Sequence, residues 1–390
     1  MMLRFAMQKW MIPAVLLSLI LSGCASQTQQ VVVNPQTHLA DELFDGYQNI
    51  EIEPEAEVFG LSLAMRSFVD KQILRIDDPK ARIRSLIKGI FDRSHMNLLY
   101  DSRANTTAAQ TFENGIANCL SMSIMTYAMA DYANLDVRFQ DVDIPEFWTF
   151  AQGYSMLNGH INLKILPRNE HNTTYIRKGG LEVDFDPQGY RVKFPTEEID
   201  KQLILAMFYN NKAADYLVDE DYPAAYAYLR AAAVTAPELS EIWVNMGVLY
   251  RLNGELQRAE QAYQQAITLN ASQTAQENLA HLYNLTGRHQ MAEEILARIE
   301  RRRLSNPFYH YLLAEQAFEQ AHWRQAIDSY RRALALDKSK HEFYYGLAKT
   351  YYQMGDLSAT ERYLKMAKRR SLFHQDEQRY QSKLNLLTRI

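Results

Sequence analysis

Apolar residues change their rhythm near residue 200, and that change divides the chain into two folding regimes. Helical spacing begins near Val58, with Phe59, Leu61, Met65, Phe68 and Val69. It resumes from Ala81 to Phe91, where Ile83, Leu86, Ile87 and Ile90 recur at i, i+3, i+4 and i+7. A third apolar helix is predicted from Asn118 to Ala133, its start marked by Gly115 and by Asn118, an N-cap residue whose side-chain oxygen accepts an otherwise unpaired amide. Beyond it the rhythm shortens to alternation at Asp136 to Gln140, Ile161 to Ile165 and Leu181 to Phe185. Turn-prone Asn158-Gly159, Asn169 to Asn172 and Gly179-Gly180 separate these segments. Helices followed by strands predict an α+β domain over 58–200.

From about residue 203 the pattern is helical and repeats itself. Ala225, Ala259, Ala292, Ala326 and Thr360 recur at intervals of 34, 33, 34 and 34 residues. Four residues after each stands Leu229, Tyr263, Leu296, Tyr330 or Leu364, and three later Ala232, Ala266, Ile299, Ala333 or Ala367. Small residues let paired helices approach while large ones fill the gap between units, so no unit buries its apolar face alone. The fullest unit carries Trp243, Met246, Gly247, Tyr250, Gly254, Ala259, Tyr263 and Ala266, which resembles the tetratricopeptide repeat (TPR) in residue type and spacing. The resemblance implies an all-α TPR solenoid of about five repeats over 203–372 and a partner protein or peptide on its concave face. Tyr380, Leu384, Leu386 and Leu387 predict a capping helix over 373–390.

The 390 residues, 47% of them hydrophobic, suffice for two or three domains. A net charge of −4 with nearly balanced signs lacks the concentrated basic surface that nucleic acid requires, and that class is excluded. At the N-terminus Arg4 and Lys9 precede an apolar run from Ile12 to Leu21, closed by Leu21-Ser22-Gly23-Cys24. This is the layout of an export signal over residues 1–23, whose apolar run is too short to span a bilayer, which takes about 20 apolar residues. Leu-Ser-Gly-Cys resembles a bacterial lipobox, implying lipidation of Cys24 and attachment to a membrane through it. An ordinary secretory signal cut near Ala25 is the alternative. Ala25 after the cysteine, rather than Asp, resembles the sorting pattern of Gram-negative lipoproteins of the outer membrane, facing the periplasm. Residues 24–57, rich in Gln, Asn, Val and acids without sustained periodicity, read as a tether.

Lipidation of Cys24 leaves Cys119 without a disulfide partner in an exported chain, and an unpaired thiol there calls for an explanation: a small buried hydrophobe or a reactive group. Cys119 sits at the first turn of a predicted helix, where the positive end of the dipole favours a thiolate. Strand alternation turns Ile161, Leu163 and Ile165 to one side and His160 and Asn162 to the other. Likewise Leu181, Val183 and Phe185 turn in while Glu182, Asp184 and Asp186 turn out. No His, Cys and Asp cluster has metal-ligand spacing, and no cofactor is expected.

Cys, His and Asp in this order, on a helix start followed by two strands, resemble the transglutaminase-like superfamily of papain-type thiol enzymes. The matching pieces are Asn114 to Ser121, Gly159 to Leu163 and Val183 to Pro187. The resemblance implies Cys119 as nucleophile, His160 as general base and then acid, and Asp184, with Asp186 in reserve, as the residue that orients the imidazole. Many members follow the histidine with an aromatic residue, where this chain has Ile161. The implied reaction is attack of the thiolate on an amide carbonyl to give a thioester, resolved by water or an amine. The expectation is a cysteine protease, amidase or acyltransferase on an envelope lipoprotein, with its protein or peptide substrate recruited by the repeats. The alternative is a non-catalytic TPR scaffold for envelope machinery such as pili or secretion systems.

Overall fold

A computed structural model gives the architecture. It describes residues 34–91, 98–142, 148–151, 154–157, 160–168, 180–183, 185, 196–371 and 374–387. Three 3-10 turns, Pro35–Thr37, Asp41–Leu43 and Tyr47–Asn49, lead into helices α1 (Glu55–Val58), α2 (Leu63–Gln72) and α3 (Pro79–Phe91). Strand β1 (Leu99–Tyr100), helix α4 (Ala108–Asn114) and strand β2 (Ile116–Ala117) precede α5 (Cys119–Tyr132). Five of the strands follow: β3 (Leu135–Val142), β4 (Trp148–Ala151), β5 (Tyr154–Leu157), β6 (His160–Pro167) and β7 (Leu181–Val183). A further strand, β8 (Thr196–Ile199), has no counterpart in the alternation read from the sequence.

α5 is the centre of this half. Ten of its residues, from Leu120 to Ala130, are buried, as expected of a helix that is apolar on every side. It lies against a four-stranded antiparallel sheet of order β7-β6-β3-β8. Ile161, Leu163 and Ile165 are all buried, and Leu163 stands opposite both Phe139 and Val183. Asn162, on the other face by alternation, is buried too, because β6 is an inner strand; its amide donates to Glu182 of β7 at 3.5 Å. One expectation about facing needs correction. Leu181 is 39% exposed, because it begins a three-residue strand at the sheet edge, whereas Val183 and Phe185 are buried.

The second half consists of helix pairs: α6 (Lys201–Val218) with α7 (Tyr222–Thr235), α8 (Ser240–Leu252) with α9 (Leu256–Asn270), and α10 (Gln273–Leu285) with α11 (His289–Leu304). Then come α12 (Pro307–Glu319) with α13 (Trp323–Leu336), α14 (His341–Gln353) with α15 (Leu357–Arg370), and a final α16 (His374–Leu387). The recurring small residues do what their spacing implies. Ala225, Ala259, Ala292 and Ala326 are completely buried, and a Cβ on Gly247 would collide with the Tyr263 ring. Gly346 is held against Tyr330 in the same way. In α16, Tyr380 is fully buried and Leu384 nearly so, closing the last pair, whereas Leu386 is 60% exposed.

The stretch read as a tether is, from Asn34 onwards, packed on the repeats. Phe44 is buried and stacks on Tyr226 with ring centroids 4.5 Å apart. The Tyr226 hydroxyl accepts from the Ala40 amide at 2.8 Å and donates to Asp41 at 2.7 Å. Tyr250 and Tyr209 donate to the carbonyls of His38 and Glu53, both at 2.6 Å, and Tyr228 donates to the Glu53 carboxylate at 2.7 Å. A strap of low periodicity is ordered here by tyrosine hydroxyls that satisfy its backbone one group at a time. Among the described residues, no helix is long and apolar enough to cross a membrane.

Candidate functional site

Two turns of chain bring Cys119 into position. α4 ends at Gly115, whose φ of +67° lies in the left-handed region that glycine tolerates, and its amide donates to Thr111 at 3.1 Å. The chain then pairs β2 with β1 and enters α5 through Asn118, whose side-chain oxygen accepts from the Ser121 amide at 2.8 Å. The expected N-cap is thus in place, with Cys119 as the first helical residue. Ser121, fully buried, is fixed in turn: its hydroxyl accepts from the Thr106 amide at 2.9 Å and donates to the Ala104 carbonyl at 3.1 Å.

Cys119 is half-buried, and its thiol donates to the carbonyl oxygen of Phe185 at 3.7 Å. Phe185 is the chain neighbour of both candidate acids, Asp184 and Asp186, which lie outside the described residues. His160 opens β6 opposite Val142, and its side chain also lies outside the described part. Cys24, the candidate lipidation site, falls outside it as well. The structure therefore brings the nucleophile candidate to the backbone of the segment that carries the candidate acids. Among the described residues, no group of three or more His, Cys, Asp or Glu side chains is placed to share a metal ion.

Two residues that sequence reasoning passed over join the site to the repeats. The Asn118 amide donates to Asn105 Oδ1 at 2.6 Å, and Asn105 Nδ2 donates to Asp215 Oδ2 of α6 at 2.6 Å. A cleft of about 530 Å³ opens beside them, lined by Asp101, Arg103, Asn105, Lys212, Asp215 and Asp219 among others. Burial raises the Asp215 carboxyl pKa above the ordinary range, against the lowering effects of the Asn105 hydrogen bond and the Arg103 charge. Nothing in the sequence marked Asn105, in a polar loop, or Asp215, inside a repeat helix; only the fold places them together.

On the repeat half, large apolar side chains remain exposed on both helices of the pairs, including Leu285, 58% exposed at the end of α10, Leu304, 49% exposed at the end of α11, and Tyr352, 49% exposed on α14. The tetratricopeptide repeat family model matches residues 240–272, which span α8 and α9, and a TPR repeat model matches residues 317–355. The helical array is built of tetratricopeptide repeats. Similar solved structures include the MamA protein, 17% identical over 42% of this chain and 91% of that one, with a TM-score of 0.23. Pseudomonas aeruginosa pilF is 15% identical over 43% of this chain and 78% of its own, with a TM-score of 0.24. YrrB, described as a TPR protein with an unusual peptide-binding site, is 13% identical over 45% of this chain and 92% of its own, with a TM-score of 0.24. No curated protein matches the chain.

Proposed function

We propose that the chain is a protein-interaction scaffold whose TPR array holds a protein or peptide partner. The observation that carries this reading is the repeat array itself, matched at 240–272 and 317–355, because stacked helix pairs present an extended surface suited to a polypeptide ligand. A photo-crosslinking residue placed at Leu285 or Tyr352 tests it in cells, with Leu63, 85% exposed on α2, as the control position. Discrete protein adducts from the repeat positions and none from Leu63 are expected. Adducts from Leu63 alone would overturn the reading.

A second reading adds chemistry at the other half: a transglutaminase-like thiol site acting on amide bonds of the recruited partner. It is favoured by Cys119 at the first turn of α5, with its sulfur beside the backbone of Phe185. In this mechanism His160 takes the thiol proton as sulfur attacks the carbonyl carbon, and helix-start amides hold the oxyanion. The C–N bond breaks as His160 passes its proton to the leaving amine, leaving a thioester on Cys119. Water then attacks, releasing a carboxylic acid and restoring the thiol; an amine in its place gives transamidation. The orienting carboxylate is Asp184, with Asp186 as its alternate. Iodoacetamide alkylation of Cys119 at neutral pH faster than a free model thiol, and loss of the cellular phenotype in Cys119→Ala, are expected. A slow thiol and a wild-type phenotype in Cys119→Ala would leave the scaffold alone.

The scaffold's place in the cell follows from the lipobox resemblance: lipidated at Cys24 and attached to the outer membrane on its periplasmic side. Partition of the chain into the detergent phase, abolished by Cys24→Ala, is the expected result; unchanged partition would remove the anchor.

A further inference from the structure

We infer that Asn105 and Asp215 are positioning residues for the helix that begins at Cys119, making the first repeat a built-in part of the thiol site; the inference rests on the thiol reading above. An asparagine cap is ambivalent, since its oxygen and its NH2 group are nearly the same size and only the oxygen can accept from a backbone amide. Asn118 is turned the productive way, with its oxygen on the Ser121 amide at 2.8 Å. What fixes that choice is the other end of the side chain. Its NH2 donates to Asn105 Oδ1 at 2.6 Å, and the Asn105 NH2 donates to Asp215 Oδ2 at 2.6 Å. Turned the other way, Asn118 would set an NH2 against the Ser121 N–H and a carbonyl oxygen against Asn105 Oδ1.

Both bonds run in the same direction, toward the carboxylate, so each polarises the next and the last is charge-assisted. Burial and, to a smaller extent, the Asp219 charge disfavour the Asp215 charge, and Asn105, Arg103 and Lys212 oppose them, with Arg103 Nε 3.9 Å from the carboxylate. Arg103 also reaches Asp219 at 3.4 Å, and Asp101 and Lys212 face the same cleft. Asp215 belongs to α6, the first helix of the first repeat. The amides at the start of α5 are the groups that favour a thiolate at Cys119. An orienting contact from α6 therefore bears on the sulfur without touching it.

The test is the pH profile of Cys119 alkylation by iodoacetamide in the intact chain. Asp215→Ala and Asn105→Ala are each expected to slow alkylation at neutral pH by about five-fold, the scale of a lost N-cap, and to move the midpoint of the profile upward. Asp215→Asn, which keeps an acceptor oxygen for Asn105, is expected to stay near wild type. Because the two act in series, the double variant Asn105→Ala, Asp215→Ala is expected to match either single one rather than their product. Thermal melts of each variant report whether the chain still folds, and Asn105→Ala breaks the same relay from the other half if Asp215→Ala does not. Wild-type midpoints in both alanine variants would overturn the positioning role. A wild-type Cys119 no faster than a free thiol, yet slowed further by both variants, would sustain the positioning role and defeat the catalytic reading.

Discussion

The first three repeats and the last two are cut from the same pattern but are held differently. One continuous apolar core runs from Ala40 in the strap through α5 and the sheet to Ile299 in α11. Beyond it, the array depends on two small clusters, one around Ala314, Tyr330 and Leu347 and one around Tyr344, Leu364 and Tyr380. Between Glu300 and Leu313 only His310 is buried, and the joint there is made by polar and charged groups: His310 Nε2 lies 2.9 Å from the Leu304 carbonyl, and the Arg303 guanidinium lies 5.7 Å from the centre of the Tyr309 ring. A repeat stack gains stability from each interface with its neighbour, so a joint without a buried apolar bridge separates units of unequal strength. The α+β half and its strap thus reinforce the near end of the array, and the far end stands on its own contacts.

The largest effect is expected from Trp243→Ala. Trp243 is fully buried in the continuous core, and large-to-small changes of this kind cost about 3–5 kcal/mol. Chemical denaturation should show the loss in the transition of the N-terminal half as well as that of the repeats; a loss confined to one helix pair would contradict a shared core. Gly346→Ala comes next, at about 1–3 kcal/mol for overpacking against Tyr330. Its effect should stay within α12–α16, seen by proteolysis of that segment while α5 remains protected. Loss of protection in α5 would contradict the division.

Acid sharpens the contrast between the strap and the α5–α6 contact. Burial opposes the charge of Asp41, but hydrogen bonds from Arg230, Tyr226 and Tyr47 outweigh it and hold the carboxyl below the ordinary range. Glu53 is held low in the same way, with burial outweighed by Tyr228 and Lys212 among its partners. A depressed carboxyl stabilises the fold above its unfolded pKa and loses that contribution as pH falls through the folded value. Asp215 has the opposite sign: its pKa is raised, so the folded state binds the proton more readily and acid relieves the burial penalty. Pepsin at about pH 3, below the ordinary carboxylate range, should therefore cut within 34–54 before it cuts near Asn105 or Asp215. The reverse order would show that these carboxylates do not hold the strap.

The repeat half was legible because one physical rule recurs, a small residue where helices cross and a large one to fill the gap; the large position is buried at Leu229, Tyr263, Tyr330 and Leu364 but not at Leu296, which is 43% exposed on α11. The start of α5 was legible for a local reason, since an N-cap depends on a single polar residue ahead of an apolar run. What escaped was used once and reached across the chain. The strap's order comes from tyrosines about 155 to 215 residues later, and an aperiodic stretch gives no sign of a distant partner. Asn105 and Asp215 were hidden for the same reason. Leu181 was misplaced because alternation says which side a residue faces but not whether the sheet extends far enough to cover it.

Native-state hydrogen exchange on the intact chain separates the two ends of the array. Amides of α5 through α9 are expected to exchange together, through one opening of high free energy, while those of α12 to α16 exchange through a separate opening of lower free energy. A single shared opening across all of these helices, or greater protection at the far end of the array, would contradict that division.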